Sequence, residues 1–219
     1  MLASVTGRPA PEVLADAAAA IARGELVVMP TDTVYGLAAD PFDPAATARL
    51  FAVKQRPAAL VLPVLVPDRE AAPELADGWP DAAEALVQAF WPGPLTIILA
   101  ARPAARLRLG GTPAVSTTVG LRQPDHPVAL ALLRATGPLA VTSANLTGHA
   151  PALTAADAAR QFGDEAAVYV DAGPAPGGIA STVIDLGRSG STRPRVVRAG
   201  AIEEDQLARA LAQAIGRSA

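Results

Sequence analysis

Apolar positions along the chain recur with two periods, and the switches between them predict the elements. In PEVLADAAAAIARG (11–24) Val13, Leu14 and Ile21 share one helical face, and Gly24 stands where a left-handed C-cap is wanted. ELVVMP follows as a short apolar run with the length of a buried strand. Asp43 ahead of Pro44 gives an N-cap and a proline at the first helical position, and the helical pattern AATARLFAVKQR runs to Pro57. ALVLPVLV is strand-like, with Pro63 arguing for an edge or a bulge because it cannot donate to a ladder. Residues 81–90 read as a short helix, WPGP as a turn, LTIILA as a strand, and PAVSTTVGLRQ as a strand with polar interruptions. HPVALALLRATG is a helix closed by Gly137, and PLAVTSAN a strand running into a loop. Thr154 with Asp157 makes a capping box for TAADAARQFG. AAVYVDAG, ASTVIDL and RPRVVRAG follow as short strands, and EEDQLARALAQAIGRS as a terminal amphipathic helix. Helices and β-rich runs therefore alternate, which favours an α/β or α+β layered fold. The Gly- and Pro-rich segment 171–181 is too short for a domain linker; it reads as a loop over a site or a plain connection, within one domain covering 1–219.

Composition narrows the chemistry more than the fold. The 219 residues are 51% hydrophobic and 18% charged, enough for a substantial core. A net charge of −3 announces no global affinity for nucleic acid, although a local basic groove stays open. The absence of cysteine removes thiolate nucleophiles, disulfides and cysteine-ligated zinc together. Two histidines, His126 and His149, argue against a His-based metal site or a Ser-His-Asp triad, and each reads as a surface or capping residue. Without a signal-peptide pattern or an apolar run of about 18 residues, the expectation is a soluble, cytoplasmic protein with no membrane partner.

Polar residues gather where apolar strands end: PTDTVYG, KQRP, STTVGLRQPDHP, TSANLTG and, later, Ser181-Thr182 with Arg198. In open α/β sheets ligands bind beyond the carboxyl ends of strands, so such residues can converge on one crevice. Each cluster also has a plain structural use. Thr31, Asp32 and Thr33 fit an Asx or ST turn, Ser143 and Asn145 can close a turn, and Lys54 with Arg56 suits a helix C-terminus. Arg122 is harder to dismiss, because an arginine in an apolar strand must pair or face a cavity. Together the clusters supply Lys54, Arg56, Arg122 and Arg198 as cations, with hydroxyls from Thr31, Thr33, Thr118, Ser143 and Ser181. That set suits an anionic, polyoxygenated ligand such as a nucleoside triphosphate. Walker A and GxGxxG patterns are absent, as is any nucleophile–base pair. Positioning and charge neutralisation, the means of phosphoryl and nucleotidyl transfer, remain.

PTDTVYGL, KQRP, WPGPLT, VGLRQPDHP, SANLTG, ASTVIDL and VVRAG, in this order over nearly the whole chain, resemble the YrdC-type threonylcarbamoyl-AMP synthases in their short, single-domain form. The resemblance implies a twisted, open, mixed β-sheet with flanking helices and a concave ligand site. It implies synthesis of L-threonylcarbamoyl-AMP from L-threonine, bicarbonate and ATP, with Mg²⁺ and release of pyrophosphate. The product would pass to a tRNA threonylcarbamoyl-transferase complex. Carried over by position, Lys54 and Arg56 would grip the ATP phosphates as catalytic cations, and Thr118, Ser143, Asn145 and Arg198 would complete the ATP site. Ser143 and Asn145 would also meet the magnesium. Thr31, Thr33, Arg122 and Ser181 would bind threonine, with Tyr35 packing across the same floor. The sequence departs from the family at Leu60, where many members carry a polar residue.

Rival readings are an RNA-binding module, and a paralogue of the same fold with lost or different activity. A net charge of −3 and the lack of interleaved aromatics oppose the first. The retained KQR, SAN and late arginine oppose the second. A carbamoyl-adenylate maker of the hydrogenase-maturation kind would carry further segments with cysteines, which this chain lacks.

Overall fold

The computed structural model describes residues 11–55, 57, 61–110, 114–187 and 194–215. Arg56 and Leu60 lie outside the described residues. The helices are α1 (Pro11–Ala22), α2 (Pro44–Lys54), α3 (Asp81–Phe90), α4 (Pro127–Thr136), α5 (Ala155–Phe162) and α6 (Glu204–Ile215). The strands are β1 (Val27–Met29), β2 (Gly36–Ala39), β3 (Pro63–Leu65), β4 (Leu95–Ala100), β5 (Thr118–Arg122), β6 (Leu139–Ser143), β7 (Val168–Tyr169), β8 (Thr182–Asp185) and β9 (Arg195–Arg198). They form one open mixed sheet in the order β7-β1-β2-β6-β3-β5-β4-β8-β9.

Local chemistry explains most of the boundaries. The Asp43 carboxylate accepts from the Ala45 N–H and caps α2, with Pro44 at the first position. Thr154 and Asp157 make both bonds of the capping box on α5. Gly24 sits at φ +74° beyond α1, its N–H on the Ile21 carbonyl. Helix α2 stops at Lys54, with Gln55 in the left-handed conformation at φ 51°, so the chain turns before Pro57 is reached.

Two of the sequence expectations need correction. GLAA forms strand β2, antiparallel to β1 and β6, where the apolar pattern suggested no strand. Its small side chains carry little β signal; the backbone pairing and full burial impose the strand. Strand β3 is neither an edge nor bulged: it lies inside the sheet between β5 and β6. Pro63 is tolerated there because it is the first residue of the strand.

Strand alternation sorts the core into two faces. On one face Val28, Leu37, Val64, Ile97, Leu121 and Ile184 pack with Leu50, Leu86, Phe162 and Leu207 of α2, α3, α5 and α6. On the other, Val27, Met29, Ala38, Leu65 and Val141 pack with Ala17 and Ile21 of α1 and with Leu132 and Leu133 of α4. Thus α1 and α4 cover that second face over β1, β2 and β6. Its remainder, from Pro63 of β3 across β5, β4 and β8, contributes no described residue to that core and forms the floor of the candidate site.

Candidate active site

Two adjoining cavities stand on this open floor. The first, of about 310 Å³, lies among residues 31–36, the end of β6 and Ala180-Ser181. The second, of about 140 Å³, is lined by Val61, Leu62, Ile98, Thr118, Gly120 and Val183. Pro63, Thr96 and Arg198 line both. The polar interruptions of β5 follow from alternation: Val119 and Leu121 enter the core, while Thr118 and Gly120 line the second cavity and Arg122 the first.

Arg122 is 6% exposed and held at three points. Its Nε donates to the Gly93 carbonyl at 3.0 Å, Nη1 to Thr33 Oγ1 at 3.1 Å and Nη2 to Asp32 Oδ1 at 2.6 Å. Burial lowers its pKa from the ordinary arginine value, and the neighbouring Asp32 carboxylate opposes that shift. The guanidinium stays charged, and two of its five N–H groups remain for a ligand.

Thr31 and Thr33 differ in what they can offer. Thr31 Oγ1 donates to the Val34 carbonyl at 2.6 Å and accepts from the Thr33 and Val34 N–H groups, an ST-type turn that commits its proton to the backbone. Thr33 Oγ1 accepts from Arg122 and lies 3.0 Å from Thr31 Oγ1, so its own proton is the one a ligand can claim. Both readings of PTDTVYG are therefore present in one segment, a turn at Thr31 and a cavity wall at Thr33. Tyr35, fully buried, donates to the Gly173 carbonyl at 2.6 Å and accepts from the Ala172 N–H at 3.1 Å. Burial pushes its pKa up to about 12. Instead of packing across the floor by its ring alone, Tyr35 ties segment 171–181 to the site.

Ser181 and Arg198 form the opposite wall. Arg198 donates from Nε and Nη2 to the Ser181 carbonyl at 3.1 and 2.7 Å, and from Nη2 to Ser181 Oγ at 2.9 Å. Ser181 Oγ in turn lies 2.9 Å from Thr96 Oγ1. Thr96 closes the WPGPLT motif but was given no role from the sequence; the available signal was a polar residue inside the apolar run LTIILA.

Lys54 takes a different position from a phosphate ligand. It is 2% exposed, and its ammonium donates to the Ser143 and Asn145 carbonyls, with Asn145 Oδ1 at 3.5 Å. The main chain returns the contact, Thr147 donating from N and Oγ1 to the Lys54 carbonyl. Lys54 thereby holds the SANLTG loop against α2. Ser143 lines the first cavity, whereas the Asn145 amide is spent on the Leu146 and His149 carbonyls at 2.9 and 2.8 Å. His126 stands at the N-cap position of α4 but makes no side-chain capping bond, and its Nδ1 is buried without a hydrogen-bond partner among the described residues.

An open mixed sheet carrying a buried arginine with backed hydroxyls, beside a second cleft, marks an α/β domain with a built polar cavity. The Sua5_yciO_yrdC family, described as "Telomere recombination", matches residues 19–200, and the chain belongs to it. A Mycobacterium tuberculosis protein under a provisional threonylcarbamoyl-AMP synthase name is 44% identical over 198 residues, 90% of this chain and 88% of that one. The threonylcarbamoyl-AMP synthase of Chromohalobacter salexigens is 40% identical over 83% of this chain and 96% of its own. P. abyssi Sua5 in complex with L-threonine superposes with a TM-score of 0.83 at 33% identity, covering 94% of this chain and 60% of that longer one. E. coli YciO superposes at 0.80 with 25% identity, over 94% and 100%.

Proposed function

We propose that this chain makes L-threonylcarbamoyl-AMP from L-threonine, bicarbonate and ATP, with loss of pyrophosphate, and that the product passes to a tRNA threonylcarbamoyl-transferase. The observation that carries the reading is the buried Arg122 fork, which keeps two N–H groups for a carboxylate beside the Thr33 and Ser181 hydroxyls. A threonine carboxylate on Arg122 sets the amine within the same cavity. The amine gives its proton to solvent and attacks the bicarbonate carbon; water leaves, and a carbamate remains. The carbamate oxygen then forms the bond to the ATP α-phosphorus as the bond to pyrophosphate breaks.

Among the described residues the cavity walls offer arginines, hydroxyls and a phenol with a pKa pushed up to about 12, a set suited to positioning rather than to general-base catalysis. Leu65, Val141 and Pro151 help to exclude water from an intermediate that bulk water would decompose. The nucleotide takes the second cavity, with Thr118 on its wall. Arg198, lining both cavities and using Nε and Nη2 on Ser181, keeps Nη1 for a phosphate oxygen. In this reading Arg56 is the second phosphate cation, and Lys54 acts by shaping the loop that carries Ser143. Among the described residues no group of three His, Asp or Glu could hold a resident metal. In this reading Mg²⁺ enters with ATP, and of Ser143 and Asn145 only Ser143 lines the cavity to meet it. The two N–H groups of Arg122 not used within the protein favour a small anionic ligand over an inert RNA-binding scaffold.

The test is pyrophosphate release from ATP with bicarbonate and Mg²⁺, with and without L-threonine. Release should require threonine and fall by at least about a hundredfold in Arg122→Ala, which loses a charge-assisted bidentate contact. Release indifferent to threonine, or an unaffected Arg122→Ala, would overturn the assignment.

A further inference from the structure

The donor directions around Ser181 can be worked out atom by atom. Arginine has no acceptor, so the 2.9 Å contact from Arg198 Nη2 is donated into Ser181 Oγ. A serine oxygen has one proton and two lone pairs, and Arg198 uses one lone pair. The 2.9 Å bond to Thr96 Oγ1 then has two possible senses. If Ser181 donates to Thr96, it has nothing left to give a ligand. If Thr96 donates, both lone pairs of Ser181 are filled and its proton must leave the network. Ser181 and Thr96 both line the first cavity, so that third direction is where a ligand sits.

A carboxylate or carbamate oxygen placed at Ser181 Oγ selects the second sense, because in the first sense Ser181 has no proton for it and the donor reaching the cavity would be Thr96. Thr33 keeps its proton for a ligand by another route, since Thr31 Oγ1 already accepts from two N–H groups. Arg122 donates to Thr33 in the same way, but the neighbouring Thr31 has already spent its proton on the Val34 carbonyl and cannot donate to Thr33.

We propose that Thr96 is a positioning residue. By donating into Ser181 Oγ alongside Arg198, it turns the Ser181 proton into the first cavity and makes Ser181 a dedicated donor to an oxygen of the amino-acid ligand. This rests on the threonine-binding reading of that cavity. Thr96 is 3% exposed and its backbone is paired in β4, so valine, of the same shape, removes the hydroxyl and little else.

The experiment is calorimetric titration of L-threonine into the full chain and into Thr96→Val, Thr96→Ser, Ser181→Ala and the Thr96→Val/Ser181→Ala double variant. Thr96→Val should weaken threonine binding by roughly five- to tenfold, the worth of one correctly aimed hydrogen bond. Thr96→Ser should restore it to within about twofold, and adding Thr96→Val to Ser181→Ala should cost less than about twofold more. The double variant separates positioning from packing, since a packing loss would persist whether or not Ser181 is present. Should valine perturb folding, Thr96→Ala in the same pairing with Ser181→Ala gives the same readout. Wild-type binding with an unchanged Thr96→Val, or a Thr96→Val loss that persists in full without the Ser181 hydroxyl, overturns the proposal alone. No threonine binding by the wild type would overturn the functional reading, and this proposal with it.

Discussion

Arg122 shows how a single side chain can organise both a fold and a site. Its three bonds join the turn before β4, the 30–35 connection and β5, elements far apart in the chain. Losing it would leave Asp32 nearly buried without its cation, so its replacement costs stability as well as affinity. The residue was legible in the sequence because a guanidinium within an apolar strand has few outcomes. Thr96 was not, since a lone threonine is an ordinary strand residue and its meaning depends on meeting Ser181 from another strand. Lys54 was legible as special but its partner was not: the lysine that opens KQRP could reach a phosphate or a carbonyl, and the structure gives it two carbonyls. The tyrosines carry a prediction at this scale. The chain has two, Tyr35 and Tyr169, and burial pushes both from their ordinary range to about 12. Between pH 10 and 12 the unfolded chain loses phenol protons that the folded chain retains. The unfolded state then binds fewer protons, so stability is fully present below pH 10 and is lost as the pH rises towards 12. Ultraviolet difference spectra should show phenolate only near pH 12 in the native protein but near 10 in denaturant. Tyr35→Phe should halve that signal. Phenolate appearing near pH 10 under native conditions would contradict the burial and bonding of both hydroxyls.

At the scale of elements, the site is made by two connections laid against each other. The 30–35 segment links β1 to β2, and segment 171–181 leads from β7 to β8. They are joined by Tyr35 to Gly173 and Ala172, and by the Gly178 N–H to the Thr33 carbonyl at 2.8 Å. The helix caps were readable because they depend on neighbours in sequence, whereas most of the strands are shorter than the apolar runs that announced them. The pairing of these two connections was not readable, because nothing local announces it. Gly177 is the point of closest approach: a Cβ there would lie 2.5 Å from the Asp32 carbonyl oxygen and 3.2 Å from Thr33 Cα. Both are backbone atoms and cannot swing aside. Gly177→Ala should therefore push the connections apart, cost roughly 1–3 kcal/mol as an overpacked contact, and weaken threonine binding through displaced Thr33. Thermal melting and threonine titration check this; an unchanged melting temperature and affinity would mean that segment 171–181 yields freely.

Over the whole molecule, helix placement decides where ligand can go. The alternation of helices and strands, and the mixed open sheet that the motifs implied, were legible; the strand order was not, since only β1-β2, β4-β5 and β8-β9 pair consecutive strands. That order puts β5, β4 and β8 side by side beyond the cover of α1 and α4, with β3 at the border, and so creates one floor for two cavities. The wall between them is built from three strands: Pro63 of β3, Thr96 of β4 and Arg198 of β9. A ligand filling both cavities touches all three and bears the translational and rotational loss of association once, whereas separate amino acid and nucleotide bear it twice. A stable analogue of threonylcarbamoyl-AMP should accordingly bind at least about a hundredfold more tightly than L-threonine or ATP alone, the ordinary advantage of joining two fragments. At equal concentrations it should raise the melting temperature more than the two together, because stabilisation follows the ratio of ligand concentration to dissociation constant. Arg198→Ala should reduce that advantage more than it reduces threonine binding, since the arginine belongs to both cavities. An analogue that binds no better than its separate halves would mean that the cavities are not one continuous site.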